Sequence, residues 1–306
     1  MSTTARTAAP PEGQTLRGRS RLVDYSNLVK LPHTVFALPF ALVGATMASY
    51  RFPVGLWEIV WILVAFTSAR FAAMGFNRIV DRDVDRINPR TRSREIPSGR
   101  LSVRQATVAV AVASVLFIVS AGMLNRLVLT LAPFALGWVL FYSYTKRFTS
   151  AAHLVLGGAL AIAPVGAYLA IAGQWSEPAG VLLVLAGAVL CWVAGFDILY
   201  SLQDEDFDRS TGLRSIPAAL GRRGAIAASR VLHLVAAGLF LWLGFLFPEF
   251  GTLYLIGAGV IAAMLAYEQS LVRADDLSRI NAAFFTVNGV ISVLFFLIVL
   301  AERLVA

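Results

Sequence analysis

The chain has 306 residues, of which 58% are hydrophobic and only 14% charged, with a formal net charge of +8. A soluble domain of this length carries far more charge on its surface, so a water-soluble globular protein is excluded. The single cysteine, Cys191, excludes an intrachain disulfide and sits inside an apolar run as a packing residue.

In chain order, residues 1–21 are polar, basic and rich in small residues, which predicts a disordered tail ahead of one transmembrane domain over 22–306. The apolar run from His33 to Tyr50 is too long for a signal-peptide core and lacks a small-residue cleavage site. Nine spans are predicted, at 33–50, 54–78, 103–122, 127–144, 152–173, 179–202, 225–247, 252–270 and 281–302. Each is long enough to cross a hydrocarbon layer of roughly 30 Å at 1.5 Å per residue. The fold class is an all-α, multi-pass membrane protein.

Connections after odd-numbered spans are very short, and those after even-numbered spans hold most of the charge. Of the 26 lysines and arginines, only Arg51, Arg126 and Arg303 fall on the side opposite the tail and charged loops, and Arg70 lies within a span. The positive-inside rule then places tail and charged loops in the cytoplasm of a bacterial inner membrane. Nucleic acid is a poor partner for basic loops this short and tethered to lipid.

Two acidic clusters end spans two and six. In FNRIVDRDVD they are Asn77, Asp81, Asp83 and Asp85, and in FDILYSLQDEDFD they are Asp197, Asp204, Glu205, Asp206 and Asp208. Asn77, Asp81 and Asp85 recur every four residues, which puts them on one helix face about 6 Å apart per step. Asp204 and Asp208 repeat that pairing, with Tyr200 one turn below, whereas Asp83 and Asp206 point to the other side and to water. Like charges at this spacing destabilise a bare helix. The two pairs therefore suggest a neutralising cation, and carboxylate and amide oxygens suit Mg2+, which takes its other ligands from phosphate and water. Each pair leads into a basic loop with Arg-x-Ile-Pro, at Arg94–Pro97 and Arg214–Pro217, so the unit looks repeated. Arg94 and Arg214 suit phosphate oxygens. Solvated loop aspartates would explain one such cluster but explain two matched ones poorly. Together they predict a site for a diphosphate with an apolar tail.

Asn77 to Asp85 resembles the NxxxDxxxD motif of the UbiA-type intramembrane prenyltransferases, and Tyr200 to Asp208 resembles their YxxxDxxxD motif. The resemblance extends over about residues 22–302. It implies nine helices around a central cavity open sideways to lipid, and transfer of a polyprenyl group from an allylic diphosphate to an aromatic acceptor. It also implies that Asn77, Asp81, Asp85, Asp204 and Asp208 hold two Mg2+ ions bridging the diphosphate. Lys146 and Arg147 match the family's basic pair after span four and would contact diphosphate or acceptor, and Lys30 matches its basic position before span one. Arg78 departs from the family, where an acidic or amide residue often follows the first Asn.

Loss of diphosphate leaves an allylic cation, which aromatic faces stabilise. Tyr142, Tyr144, Tyr168, Tyr200 and Phe196 are the candidates. Arg70, two turns deeper than Asn77, is an intramembrane arginine and therefore a candidate for an acceptor carboxylate. Asp197 lies at similar depth, either as the partner of Arg70 or as the group that orients the acceptor hydroxyl or takes its proton. The stretches VKLPHTVFALPFALVGA and NPRTRSREIPSGRLS resemble the quinone-pathway subgroup, with 4-hydroxybenzoate or a dihydroxynaphthoate as acceptor. Both acceptors carry a ring, a hydroxyl and a carboxylate, so the residues do not separate ubiquinone from menaquinone biosynthesis. His33 reads as a cap or packing residue, His153 and His233 belong to no recognisable constellation, and Gly157, Gly158 and Gly166 read as helix-packing sites. A cation-coupled transporter is the competing class. It should bury its acids near the bilayer midplane between broken helices, whereas these cluster at one rim beside arginines.

Overall fold

The structure is a computed structural model that describes Leu16 and residues 20–305, with the helical course but not the side chains of residues 31–37. Among the described residues, all regular structure is helical. Most of the expected tail lies outside them. Leu16 exchanges two hydrogen bonds with the Asn27 side chain, at 2.8 and 2.9 Å. Ser20 caps a short helix, α1 (Arg21–Leu28), by accepting from the Val23 amide.

The long helices are α2 (Leu31–Ala48), α3 (Leu56–Val80), α5 (Val103–Leu124), α6 (Arg126–Thr145) and α7 (Ala152–Ala172), followed by α8 (Gly180–Ser201), α10 (Ile216–Leu246), α11 (Thr252–Leu271) and α12 (Asn288–Val305). Short helices α4 (Arg82–Ile87) and α9 (Glu205–Thr211) follow α3 and α8, and a π-helical segment, Ala282–Val287, leads into α12. Eight helical stretches are long and apolar enough to cross a membrane by length and composition. The expected first span falls on α2, whose described apolar part, Leu38–Ala48, is shorter than the others. Apolar side chains favour these helices because only a helix satisfies all of its own backbone groups in lipid. The same setting tolerates Pro39, Pro133 and Pro164 inside helices.

α8 is the central element, packed between α7 and α10. Close approach there depends on small residues. A Cβ on Gly157 would collide with the Leu190 carbonyl of α8, and one on Gly44 with the Pro164 carbonyl of α7. A Cβ on Gly158 would meet the Trp138 ring at 3.2–3.5 Å. Gly166 differs from expectation: a Cβ there meets nothing within 4 Å, because this glycine lines a cavity rather than a helix contact.

Both acidic motifs straddle a helix break, which corrects the single continuous face read from their spacing. α3 stops at Val80, Asp81 has φ −90° and ψ 3°, and α4 starts at Arg82. α8 stops at Ser201, and one 3-10 turn, Leu202–Asp204, separates it from α9. The i→i−4 amide bonds Asp81–Asn77 and Asp85–Asp81, at 2.9 and 2.7 Å, still carry the chain across the first break. At the opposite end, Arg51 bonds the Glu249 carboxylate and the Glu177 carbonyl. Arg303 donates to the Ser49 hydroxyl and carbonyl, both at 3.2 Å. These two cations tie the end of α2 to the segments around α11 and α12.

Gly44→Ala should lower the melting temperature in detergent, at an overpacking cost of about 1–3 kcal/mol, while Gly166→Ala leaves it unchanged. Equal effects at the two positions would contradict the packing described.

Candidate active site

The breaks after α3 and α8 bring four carboxylates to one end of the bundle, each paired with a cation from elsewhere. Asp81 accepts from Asn77 Nδ2 at 2.9 Å and from Arg147 Nη2 at 3.0 Å. Asp85, 4% exposed, accepts from Arg94 Nη1 at 2.7 Å. Asp204 is held by two parallel bonds from Arg90, Nε at 2.9 Å and Nη2 at 2.5 Å, with Asn88 Nδ2 at 3.4 Å. Asp208, 2% exposed, lies 3.6 Å from Lys146 Nζ. The pairing crosses the repeat: Arg90, from the loop after the first motif, closes on the second motif.

Charge balance sets the protonation of these groups. Burial and the neighbouring Asp85 raise the pKa of Asp81 against the pull of Arg147. Burial lowers that of Lys146, but Asp208, Asp204, Asp197 and Asp81 outweigh it, so its net pKa is raised and the ammonium is held charged. At Lys30, which caps α2 with φ 48°, burial and then Arg78, Arg94 and Arg90 push the pKa down to about 6. Asp83, 69% exposed, points to water as expected, and so does Asp206. Glu205 is buried between Arg209 and Arg222, at 3.0 Å each, and is therefore structural.

Below the rim lies a cavity of about 750 Å3, enclosed by α2, α3, α5, α6, α7, α8 and α12. Its head carries Lys30, Arg70, Asn77, Arg78, Arg94 and Asp197, and its body is almost wholly apolar. Leu131, Phe134 and Trp138 of α6 line it and are exposed, Phe134 to 75%. Of the aromatic candidates, Tyr142, Phe196 and Tyr200 line the cavity. Tyr144 instead packs on Phe76 and beneath the Arg147 guanidinium, and Tyr168 is buried in the core.

Several residues were not read from the sequence. Arg90 was one of several arginines in its loop, and nothing in its spacing singled it out. Phe284 and Phe285 lie on the π segment, and Phe284 stacks on Tyr200 at 4.0 Å between ring centres. His153 does belong to a constellation. Its Nδ1 lies 2.7 Å from Asp197 Oδ2, so that carboxylate closes on His153 rather than on Arg70, although Arg70 and Asp197 line the same cavity. Arg214 donates through its amide to the Lys146 carbonyl and through Nη1 to the Phe148 carbonyl, and so ties two loops together away from the carboxylates.

Among the described residues, no three His, Cys, Asp or Glu side chains gather as a metal-binding cluster. The donor chemistry still fits Mg2+, which needs only one or two carboxylates when phosphate and water supply the rest. Asp85 Oδ2 and Asp208 Oδ2, one from each motif, are buried and without a hydrogen-bond partner.

An all-helical membrane protein with a cationic, carboxylate-rimmed head above an apolar cavity is built to hold an anionic group on an apolar tail. Residues 37–296 match the UbiA prenyltransferase family. The chain belongs to that family and is a prenyltransferase. It is 32% identical over 264 residues to the 4-hydroxybenzoate octaprenyltransferase of Serratia proteamaculans, covering 78% of this chain and 87% of the relative. It is 31% identical over 271 residues to that of Cupriavidus necator, covering 86% and 92%. The apo UbiA homologue of Aeropyrum pernix K1 superposes with a TM-score of 0.79 at 36% identity, covering 90% of this chain and 98% of the other. The Archaeoglobus fulgidus homologue bound to DMAPP and Mg2+ shares the fold, with a TM-score of 0.72 at 21% identity and coverage of 92% and 100%.

Arg90→Ala should strand Asp204 as a buried unpaired carboxylate and cost about 3–5 kcal/mol, read as a lower melting temperature. Arg92→Ala, on the exposed side of the same loop, should cost nothing measurable. Lys30→Met should stabilise the ligand-free protein. With a folded pKa near 6, the unfolded chain binds the extra proton from about pH 6 to its ordinary value of 10.5. Wild-type stability therefore rises with pH across that window, and the advantage of the variant should shrink over it. A constant or growing difference in melting temperature would contradict this.

Proposed function

We propose that the protein transfers a polyprenyl group from an allylic polyprenyl diphosphate to an aromatic hydroxycarboxylate, with Mg2+ as cofactor and the active-site loops facing the cytoplasm. One observation carries this reading: a single cavity joins a head of four basic side chains and one carboxylate to an apolar body. Diphosphate and the acceptor carboxylate both match that head, and a polyprenyl tail matches the body.

Asn77, Asp81, Asp85, Asp204 and Asp208 would hold two Mg2+ ions. When bound, Mg2+ neutralises the diphosphate so that the allylic C–O bond can ionise. Lys146, Arg147 and Arg94, now paired with carboxylates, are placed to exchange those oxygens for phosphate oxygens. Arg214 supports the same end by fixing the Lys146 loop. Tyr200, braced by Phe284 and by the Arg90 guanidinium 5.6 Å from its ring centre, presents an aromatic wall, with Phe196 and Tyr142 completing it. Arg70 would receive the acceptor carboxylate, and Asp197 would accept a hydrogen bond from its hydroxyl. The ring carbon then bonds to the allylic carbon, the ring C–H breaks with its electron pair returning to the ring, and Asp197 takes the proton.

At four skeletal bonds per isoprene unit, an octaprenyl chain extends roughly 35 Å. That exceeds a hydrocarbon layer of roughly 30 Å, so a tail of that length would fold or pass out beside α6. The named relatives favour 4-hydroxybenzoate as acceptor. A dihydroxynaphthoate presents the same groups and is the second reading.

Purified protein with Mg2+ and geranyl diphosphate should prenylate 4-hydroxybenzoate, and 1,4-dihydroxy-6-naphthoate is the comparison acceptor. Reaction only with the naphthoate would move the protein to the second reading. Asp81→Asn, Asp85→Asn, Asp204→Asn and Asp208→Asn should each lose well beyond the roughly 10–100-fold typical of changes outside a metal's own ligands, and Asp83→Asn almost nothing. Equal tolerance at all five positions would remove the metal assignment.

A further inference from the structure

We infer that His153 is a positioning residue for the acceptor half of the reaction, acting through Asp197, and that it links Asp197 to the loop before α10. The inference rests on the acceptor chemistry proposed above.

His153 is wholly buried at the start of α7. Its two ring nitrogens have different partners, and these fix its tautomer. Nε2 receives the backbone N–H of Ile216 at 3.4 Å. An amide N–H can only donate, so Nε2 carries a lone pair and the ring proton lies on Nδ1. That Nδ1–H donates to Asp197 Oδ2 at 2.7 Å, the short distance of a charge-assisted bond. Ile216 is the first residue of α10, where the amide has no partner within its own helix. Its donation to His153 therefore satisfies a helix end and orients the imidazole at once.

The consequence falls on Asp197. With Oδ2 occupied, rotation about its side chain is restrained and Oδ1 is left for the acceptor. Oδ1 can then accept the phenolic hydrogen bond and later the ring proton. The same chain of contacts reaches the second basic loop. Ser215 caps α10 through the Ala218 amide, and the Arg214 amide donates to the Lys146 carbonyl at 2.7 Å. Seating Lys146 on a diphosphate thus also fixes, through the Arg214 amide, the segment whose Ile216 amide orients His153. The arrangement couples the donor head to the acceptor base without a direct contact between them.

A purely structural histidine would affect ionisation and coupling alike, so the test separates them. Diphosphate release and prenylated product are measured together, with geranyl diphosphate, Mg2+ and either acceptor, for wild type, His153→Ala and His153→Asn. The amide of asparagine can present an N–H where Nδ1–H stood. In His153→Ala, acceptor-independent diphosphate release should stay within about twofold of wild type, while product per diphosphate released falls at least tenfold. His153→Asn should recover most of that ratio. If wild type prenylates an acceptor and His153→Ala loses both readouts equally, or neither, the positioning role is overturned and the acceptor reading stands. If His153→Ala does not fold, the ratio in His153→Asn decides: near wild type supports the role, and loss in step with diphosphate release overturns it. If wild type releases diphosphate but prenylates neither ring, the acceptor reading falls and this inference with it.

Discussion

Four carboxylates gathered at one end of a membrane bundle, three of them buried and Asp81 half-buried, are the constraint on which the rest of the structure depends. In such surroundings an unpaired carboxylate is costly, and removal of one partner of a buried pair leaves that cost uncompensated. The fold answers by bringing cations from two separate segments to the same place. Arg90 and Arg94 come from the loop after α4, and Lys146 and Arg147 from the end of α6. Because Arg90 of the first loop closes on Asp204 of the second motif, the two motifs form one electrostatic unit. The helix breaks at Asp81 and at Leu202–Asp204 fall at the first acid of each pair.

A rim of this kind is well suited to a diphosphate. Ion pairs that are complete without substrate can be exchanged for contacts with phosphate and metal without exposing net charge to the membrane interior. Asp85 Oδ2 and Asp208 Oδ2, buried and without a hydrogen bond, are the atoms such an exchange would satisfy. Below the rim the chemistry changes within a few helical turns. Arg70 and Asp197 are the last charged groups lining the cavity, and beyond them it is walled by alanine, aliphatic and aromatic side chains. The dividing line between anionic head and apolar tail is therefore built into α3 and α8, the helices that also end in the two motifs.

Much of this was legible in the sequence because membranes permit few solutions. Long apolar runs marked the helices, and two acid motifs of matched spacing on spans two and six, each leading into a basic loop, marked the family. What periodicity could not supply was partnership. The choice of Arg90 over its neighbouring arginines, the closing of Asp197 on His153 instead of Arg70, and the opening of Gly166 onto a cavity all depend on how distant segments meet. The helix breaks escaped for a related reason, since an i, i+4 repeat looks the same across a one-residue kink. Tyr144 shows the limit clearly: its type suited a cation wall, but its position on α6 turns it out of the cavity.

The central claim is that carboxylates and cations at the rim are paired with one another until a metal–diphosphate takes their place. It is tested most directly by calorimetry of the purified protein with Mg2+, first alone and then with a non-reactive geranyl thiolodiphosphate present. Because each carboxylate already has a cationic partner, Mg2+ alone should bind weakly. With the diphosphate analogue present it should bind at least about tenfold more tightly, and by linkage the analogue should gain the same factor from Mg2+. Equal Mg2+ affinity with and without the analogue would show that the carboxylates form a preassembled metal site, and would contradict the claim.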